Sequence, residues 1–272
     1  MRALATAFLR LMMRIFFRHI ELVGLENLPA GRSVIFACNH PNGLVDPLFI
    51  VCFAPRPVSF LGKAPLWRYP VVGWFVRVFD SIPVYRKQDH VAGTNQETFA
   101  RAREVLGRGG AIAIFPEGTT HSDSQLRELK TGAARIALGA AAQDSSAGAP
   151  LVIPAGIYYT AKQRFRSSAL LLLGAPIEVQ RVTLDDDGEP PRAAAEALTA
   201  EIETALDEVT LQADSRQALS LIARAERIFS GGGGALAGEL DLRRRFVDGY
   251  HYLRERDPER LAALESRLAR FE

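Results

Sequence analysis

The sequence predicts an α/β fold: a mostly parallel central sheet flanked by helices, with an N-terminal amphipathic helix and a helical C-terminal tail. Three observations carry this reading. Short apolar runs of strand length alternate with helix-length stretches, the pattern of βαβ units. His40 and Glu117 each fall just past such a run, where ligands of open parallel sheets bind. Two loop-forming stretches punctuate the pattern: DSSAGAP (144–150) parts a helix from a strand, and DDDGEPPR (185–192) parts the sheet region from the tail.

The chain opens with MRALATAFLRLMMRIFFRHIELVG. Read as a helix, Arg10, Arg14 and Arg18 form one narrow stripe, because residues four apart share a face. Leu9, Leu11, Met12, Met13, Ile15, Phe16 and Phe17 cover most of the rest. This suits a helix lying in a headgroup layer, and equally an amphipathic helix docked on a core. Arginines interrupt the apolar part and no small-residue cleavage site follows, so it does not read as a signal peptide. No stretch of about 18 uncharged apolar residues predicts a membrane-crossing helix.

Strands are expected at 33–38, 58–62, 81–85, 111–115, 151–159 and 168–174. Helices are expected at about 46–54, 65–79, 91–108 and 130–143. The predicted organisation is a membrane-associating helix over 1–20, an α/β domain over 21–184, and a helical extension over 185–272 with a Gly-rich hinge at 231–238. The charged helical pattern still runs at Glu272 without a cap signal, which suggests a chain cut short.

Composition narrows the function. With 272 residues, 48% hydrophobic and 24% charged, the chain can bury a sizeable core. A net charge of +2, with no zinc-finger spacing or RNA-binding signature, argues against nucleic acid as a partner. The two cysteines, Cys38 and Cys52, sit in apolar runs and read as core filler in a reducing compartment.

The chemistry sits in four segments. In NHPNGLVDP (39–47), His40 and Asp46 form a general-base pair on a loop after a strand: the histidine takes a proton, and the aspartate orients the ring and stabilises the imidazolium. No Gly-x-Ser-x-Gly elbow supplies an enzyme nucleophile, so the hydroxyl activated belongs to a substrate. A histidine that merely caps a loop is the plainer alternative. GKAPLWRYPVVGWFVRVFDSIPVYRK (62–87) is strongly aromatic, suited to a groove, a membrane interface or an ordinary buried helix pair. It carries Lys63 near its start and Arg86 at a strand end, where a guanidinium can clamp a phosphate. AIAIFPEGTTHSDSQLRELKTGAARIAL (111–138) turns through Pro116 and Gly118 and presents Glu117 and Thr119, with Arg127, Lys130 and Arg135 downstream as anion partners. His121 and Asp123 are too few for a metal site, so no metal is expected. LVIPAGIYYTAKQRFRSS (151–168) ends in Lys162, Arg164 and Arg166, a cluster suited to a phosphate-rich cofactor tail, to anionic lipid, or simply to solvent.

These segments occur in one order, and together they resemble the four blocks of the glycerol-phosphate and lysophosphatidate acyltransferase family, over about residues 20 to 180. The resemblance implies an O-acyltransferase of phospholipid synthesis at the cytoplasmic face of a membrane. Its co-substrate would be acyl-CoA or acyl carrier protein, with no bound cofactor. His40 and Asp46 would be catalytic. Lys63, Arg86, Glu117, Gly118, Thr119 and Lys130 would bind substrate, and backbone N–H groups near Gly118 and Thr119, or near the VIPAG strand, would hold the oxyanion. The His-to-Asp spacing is one residue longer than usual in the family, as in the branch resembling fungal glycerol-3-phosphate/dihydroxyacetone-phosphate acyltransferases. Asn42-Gly43 can absorb the extra residue in a turn. Thr120 and His121 stand where many members carry an arginine, so the phosphate contact passes to Lys130 or another cation. Glycerol-3-phosphate is the acceptor this spacing favours; lysophosphatidate or another lysolipid, transacylation between lipids, and a non-catalytic membrane-surface module are the rivals.

Overall fold

The computed structural model describes residues 1–86, 93–121, 123, 125–143, 147–213 and 235–269. In chain order the elements are α1 (Arg2–Phe16), β1 (His19–Val23), β2 (Val34–Cys38), α2 (Val45–Phe53), β3 (Val58–Lys63), α3 (Pro70–Val78), β4 (Ile82–Val84), α4 (Asn95–Gly107), β5 (Ala111–Ile114), α5 (Gly132–Ala141), β6 (Leu151–Tyr159), β7 (Ser168–Leu173), β8 (Ile177–Glu178), α6 (Arg192–Val209), α7 (Leu236–Arg256) and α8 (Pro258–Ala269). The sheet runs β1-β7-β6-β2-β5-β3-β4, with β8 pairing beside β7 on β6. All pairings are parallel except β6 with β7 and β6 with β8.

Strand periodicity explains the two-sided core. Successive side chains of a strand point to opposite faces. Val34, Phe36 and Cys38 of β2 therefore enter one apolar cluster, with α1, α2 and α3, while Ile35 and Ala37 enter the other, with α4, α5 and α6. Every β2 and β5 residue is buried, as expected of central parallel strands. Phe17, Phe36, Phe49 and Phe79 are the largest fully buried side chains; truncating any one to alanine costs about 3–5 kcal/mol.

Several expectations need correcting. Helix α1 ends at Phe16, because the next turn is replaced by sheet pairing: the Arg18 N–H donates to Ser167 O, and β1 pairs with β7 from His19 onward. Arg18 therefore leaves the stripe, and residues 19–20 belong to the sheet. Arg10 is committed as well, its Nε donating to Cys52 O at 2.5 Å. The expected helix over 65–79 splits into a 3-10 turn at Ala64–Arg68 and α3, which starts afresh at Pro70. Helix α6, assigned to a separate extension, completes the second cluster through Ala195, Leu198, Ile202, Leu206 and Val209. Its C-terminus meets the sheet so closely that a Cβ on Gly156 would lie 1.8 Å from Val209 O. Of the expected hinge, residues 231–234 lie outside the described residues, and Leu236 to Gly238 already belong to α7.

Candidate active site

His40 follows β2 directly, and Asp46 lies in the first turn of α2. The loop between them is held by reciprocal capping. Asn42 Oδ1 accepts the Val45 N–H at 3.2 Å, and Asp46 Oδ2 accepts the Asn42 N–H at 2.7 Å. The same Oδ2 is 2.9 Å from His40 Nδ1, and Asp46 Oδ1 accepts the Tyr159 O–H at 2.7 Å. Asp46 is fully buried. Burial pushes its carboxyl above the ordinary aspartate value, and the hydrogen bonds from His40, Asn42 and Tyr159 oppose that push. Burial, followed by the Asp46 charge, raises the Tyr159 phenol, which therefore stays a donor. His40 stacks on Phe115 with ring centroids 4.0 Å apart. The dyad is thus pre-oriented, with Nδ1 facing Asp46 and Nε2 left for a reacting group.

Glu117, expected to contact the acceptor, has protein partners of its own. It is 3% exposed. Its Oε1 accepts the His40 backbone N–H at 3.0 Å, and its Oε2 accepts the Arg127 N–H at 3.0 Å and pairs with His121 Nε2. The β5 loop is thereby tied to the β2 loop, and the carboxylate holds the His40 backbone in place. Asn39 does the same from the other side, exchanging two hydrogen bonds with Ile157 of β6 at 2.7 and 3.1 Å.

Two cavities meet at His40. The larger, about 760 Å³, opens at the C-terminal ends of β3, β4 and β5. It is lined by Lys63, Arg86, Gly118, Thr119 and Lys130, so five of the six expected substrate residues converge there with His40. Leu61, Val84, Phe99 and Ile136 add apolar surface to its lining, beside the polar Asn95, Thr98 and Thr131. Gly118 is in the left-handed region at φ 68°, and Lys130 lies across it; a Cβ there would come within 2.5 Å of Lys130 Nζ. The Gly118 N–H is occupied by Phe115 O at 2.9 Å. It is therefore not an oxyanion donor in this geometry, which leaves Thr119 among the expected pair. Arg127 pairs with Asp123 at 2.7 Å and Arg135 with Glu189 at 3.0 Å, so of the three expected anion partners Lys130 is the one turned to the cavity with no ion pair among the described residues.

The smaller cavity, about 260 Å³, lies on the other side of His40 and is lined by Glu117, His121, Lys162 and residues 210–212. Lys162 donates to Pro41 O at 2.8 Å, which places one member of the basic cluster on the His40 loop; Arg164 and Arg166 are exposed. Two departures from the family pattern touch each other. A Cβ on Gly43, in the lengthened loop, would lie 2.8 Å from Thr120 Oγ1. Both cysteines are fully buried. Burial raises their thiols, that of Cys52 to about 11, which makes them inert filler. No cluster of three or more possible metal ligands occurs among the described residues.

Comparisons with known proteins place this α/β sheet in a family and give it a structural likeness. The family model described as Acyltransferase matches residues 19–158, and the chain belongs to that family. It is 24% identical to an uncharacterised acyltransferase of Schizosaccharomyces pombe, over 92% of this chain and 50% of that one. It is 35% identical to glycerol-3-phosphate O-acyltransferase 2 of Saccharomyces cerevisiae, over 50% of this chain and 18% of that one. The chain thus spans half or less of the length of these curated relatives. Its fold resembles the crystal structure of the 1-acyl-sn-glycerophosphate (LPA) acyltransferase, PlsC, from Thermotoga maritima, with a TM-score of 0.53 at 20% identity, over 76% of this chain and 80% of that one.

Proposed function

We propose that the protein moves a fatty acyl group from an acyl thioester, carried on coenzyme A or acyl carrier protein, to a hydroxyl of glycerol-3-phosphate. One observation carries this: the His40–Asp46 dyad opens onto a cavity whose rim holds Lys63, Arg86 and Lys130. Three cations beside a general base suit a phosphorylated alcohol. His40 Nε2 takes the acceptor's hydroxyl proton as the oxygen attacks the thioester carbonyl carbon. Asp46, on Nδ1, stabilises the imidazolium that forms. The tetrahedral oxyanion is held by donors on the Thr119 side of the cavity. Collapse breaks the C–S bond, and the proton on His40 leaves with the thiolate.

A second acceptor reading, lysophosphatidate, is favoured by two features. Part of the cavity lining is apolar, Leu61, Val84, Phe99 and Ile136, which offers an acyl chain contacts next to the phosphate site. An apolar face also lies outward: Leu4, Phe8, Leu11, Met12 and Ile15 of α1 are exposed, as are Tyr69, Val71 and Trp74 at α3, and Phe165, whose ring is 5.9 Å from that of Phe16. With exposed Arg14, Arg164 and Arg166 beside it, this face suits a peripheral, interfacial seat on an anionic membrane. No helix among the described residues is long and apolar enough to cross a membrane.

The test supplies glycerol-3-phosphate, dihydroxyacetone phosphate or lysophosphatidate with labelled acyl-CoA or acyl carrier protein. The reading expects transfer to a phosphorylated acceptor, and His40→Ala to reduce it by about a thousandfold or more. Full activity in a folded His40→Ala protein removes the mechanism. Vesicle binding without turnover, unchanged by that substitution, favours the membrane-surface module instead.

A further inference from the structure

Residues beyond the matched family segment enter the site. After α6 ends at Val209, the chain passes through Thr210, Leu211 and Gln212, all lining the smaller cavity with His40. Gln212 Oε1 accepts the Leu126 N–H at 2.6 Å, and Gln212 Nε2 donates to Thr210 Oγ1 at 2.6 Å. Thr210 is pinned in turn: its Oγ1 donates to Leu206 O at 2.7 Å, and its carbonyl accepts from Arg244 Nε at 3.1 Å. Ala213 is buried against Val247 of α7, whose first N–H groups are capped by Glu21 of β1 at 2.6 and 3.1 Å. The segment bearing Gln212 is therefore clamped from both sides, with a short, well-defined reach to the β5 loop.

That loop leads back to the dyad. Arg127, the residue after Leu126, gives its N–H to Glu117 Oε2, and Glu117 Oε1 accepts the His40 N–H, each at 3.0 Å. Gln212 is thus joined to the His40 backbone through one backbone segment and one buried carboxylate.

We infer that Gln212 is a positioning residue for catalysis: it holds the 125–127 segment, through it Glu117, and so the backbone of His40. Its consequence for turnover rests on the proposed function; its consequence for the loop does not. The physical basis is that the Leu126 N–H, beside the smaller cavity, loses its protein partner when the Gln212 amide is removed, which frees the segment whose next N–H fixes Glu117 and through it the His40 N–H. A histidine displaced by a fraction of an ångström from its substrate loses rate without losing affinity for the acceptor, whose phosphate is held on the other side.

The test uses the full chain. Gln212→Met keeps the side-chain volume and loses both hydrogen bonds; Gln212→Glu keeps an oxygen for the Leu126 N–H. Gln212→Met should lower kcat about tenfold while changing the acceptor KM by less than about twofold, and Gln212→Glu should recover to within about threefold of wild type. Amide hydrogen exchange supplies the readout that needs no turnover. The Leu126, Arg127 and His40 amides should exchange about tenfold faster in Gln212→Met, with the unfolding midpoint moved by less than about 2 °C. Unchanged exchange at these amides overturns the inference, as does faster exchange with an unchanged kcat. In a wild-type protein that transfers no acyl group to any of the acceptors, the exchange shift alone still supports the link to His40, and the failure falls on the proposed reaction.

Discussion

The two cavities that meet at His40 are built on different principles. The larger is assembled from strand ends: Lys63 closes β3, Arg86 follows β4, and Gly118 and Thr119 follow β5. Lys63 and Arg86 each sit at the end of a strand run that fixes their position, so their place on this side follows from the sheet, while Lys130 reaches it from the loop before α5. The smaller is assembled from remote segments: the β2 loop, the β5 loop, the end of β6 and residues 210–212. Its polar groups are mostly committed to one another, Glu117 to His40, His121 and Arg127, and Gln212 to Leu126 and Thr210. One side is equipped to bind and the other to hold. A parallel sheet gives a binding edge cheaply, but orienting a catalytic ring to within a hydrogen bond needs support from several parts of the chain.

The comparison can be broken or sharpened by substitution. The largest effect belongs to the dyad, where His40→Ala removes the group both cavities share. On the binding side, Arg86→Ala and Lys130→Ala should each raise the acceptor KM about tenfold to a hundredfold, with kcat and the donor KM within about threefold of wild type. Equal losses in kcat would erase the distinction from the holding side, where Gln212 is expected to act on kcat alone. The frame of the holding side is probed by Gly156→Ala. Its new Cβ would collide with Val209 O and push away the end of α6 and the residues that follow. Thermal or denaturant unfolding should show a loss of about 2 kcal/mol or more; a smaller loss would mean that α6 docks loosely.

The smallest effect is a pH dependence of stability centred on Asp46. Burial raises its carboxyl above the ordinary value. Below that ordinary value the group is protonated in both folded and unfolded chains and carries no penalty. As pH rises through the raised value, the folded state keeps a proton the unfolded state has released, so stability falls with pH across that window and stays lower above it. Asp46→Asn lacks this term. The difference in unfolding midpoint, wild type minus Asp46→Asn, should therefore decline as pH rises above the ordinary aspartate value of about 3.9 and level off once the folded carboxyl has ionised. A flat difference would show that the hydrogen bonds from His40, Asn42 and Tyr159 cancel the cost of burying the charge.

Much of the binding side was legible in the sequence. The six expected strand runs all appear, and His40, Lys63, Arg86, Gly118, Thr119 and Lys130 do line one cavity. Two strands were missed. HIELV reads as the continuation of an apolar helix and becomes β1 only through its pairing with β7, and β8 is too short to carry a pattern. For Glu117 the sequence did not show the His40, Arg127 and His121 partners it has in the fold, because a carboxylate after a strand looks alike whether it faces a ligand or a backbone N–H. Tyr159, whose hydroxyl donates to Asp46 from 113 residues away, had no signal of its own beyond sitting at the end of an apolar run.

By itself, then, the sequence determined the alternation of strands and helices, the His40–Asp46 pair and the cations at the strand ends. These depend on side-chain periodicity and on short loops, and both are local. Contacts across the fold decided that Glu117 bonds the His40 N–H, that Gln212 bonds the Leu126 N–H, that α6 belongs to the core, and that one face of α1 docks while another stays open. Those facts depend on which groups meet across long separations, 77 residues for His40 with Glu117 and 86 for Leu126 with Gln212. A buried hydrogen-bonding group chooses whichever partner the folded chain brings within about 3 Å, and no pattern in the neighbouring residues records that choice.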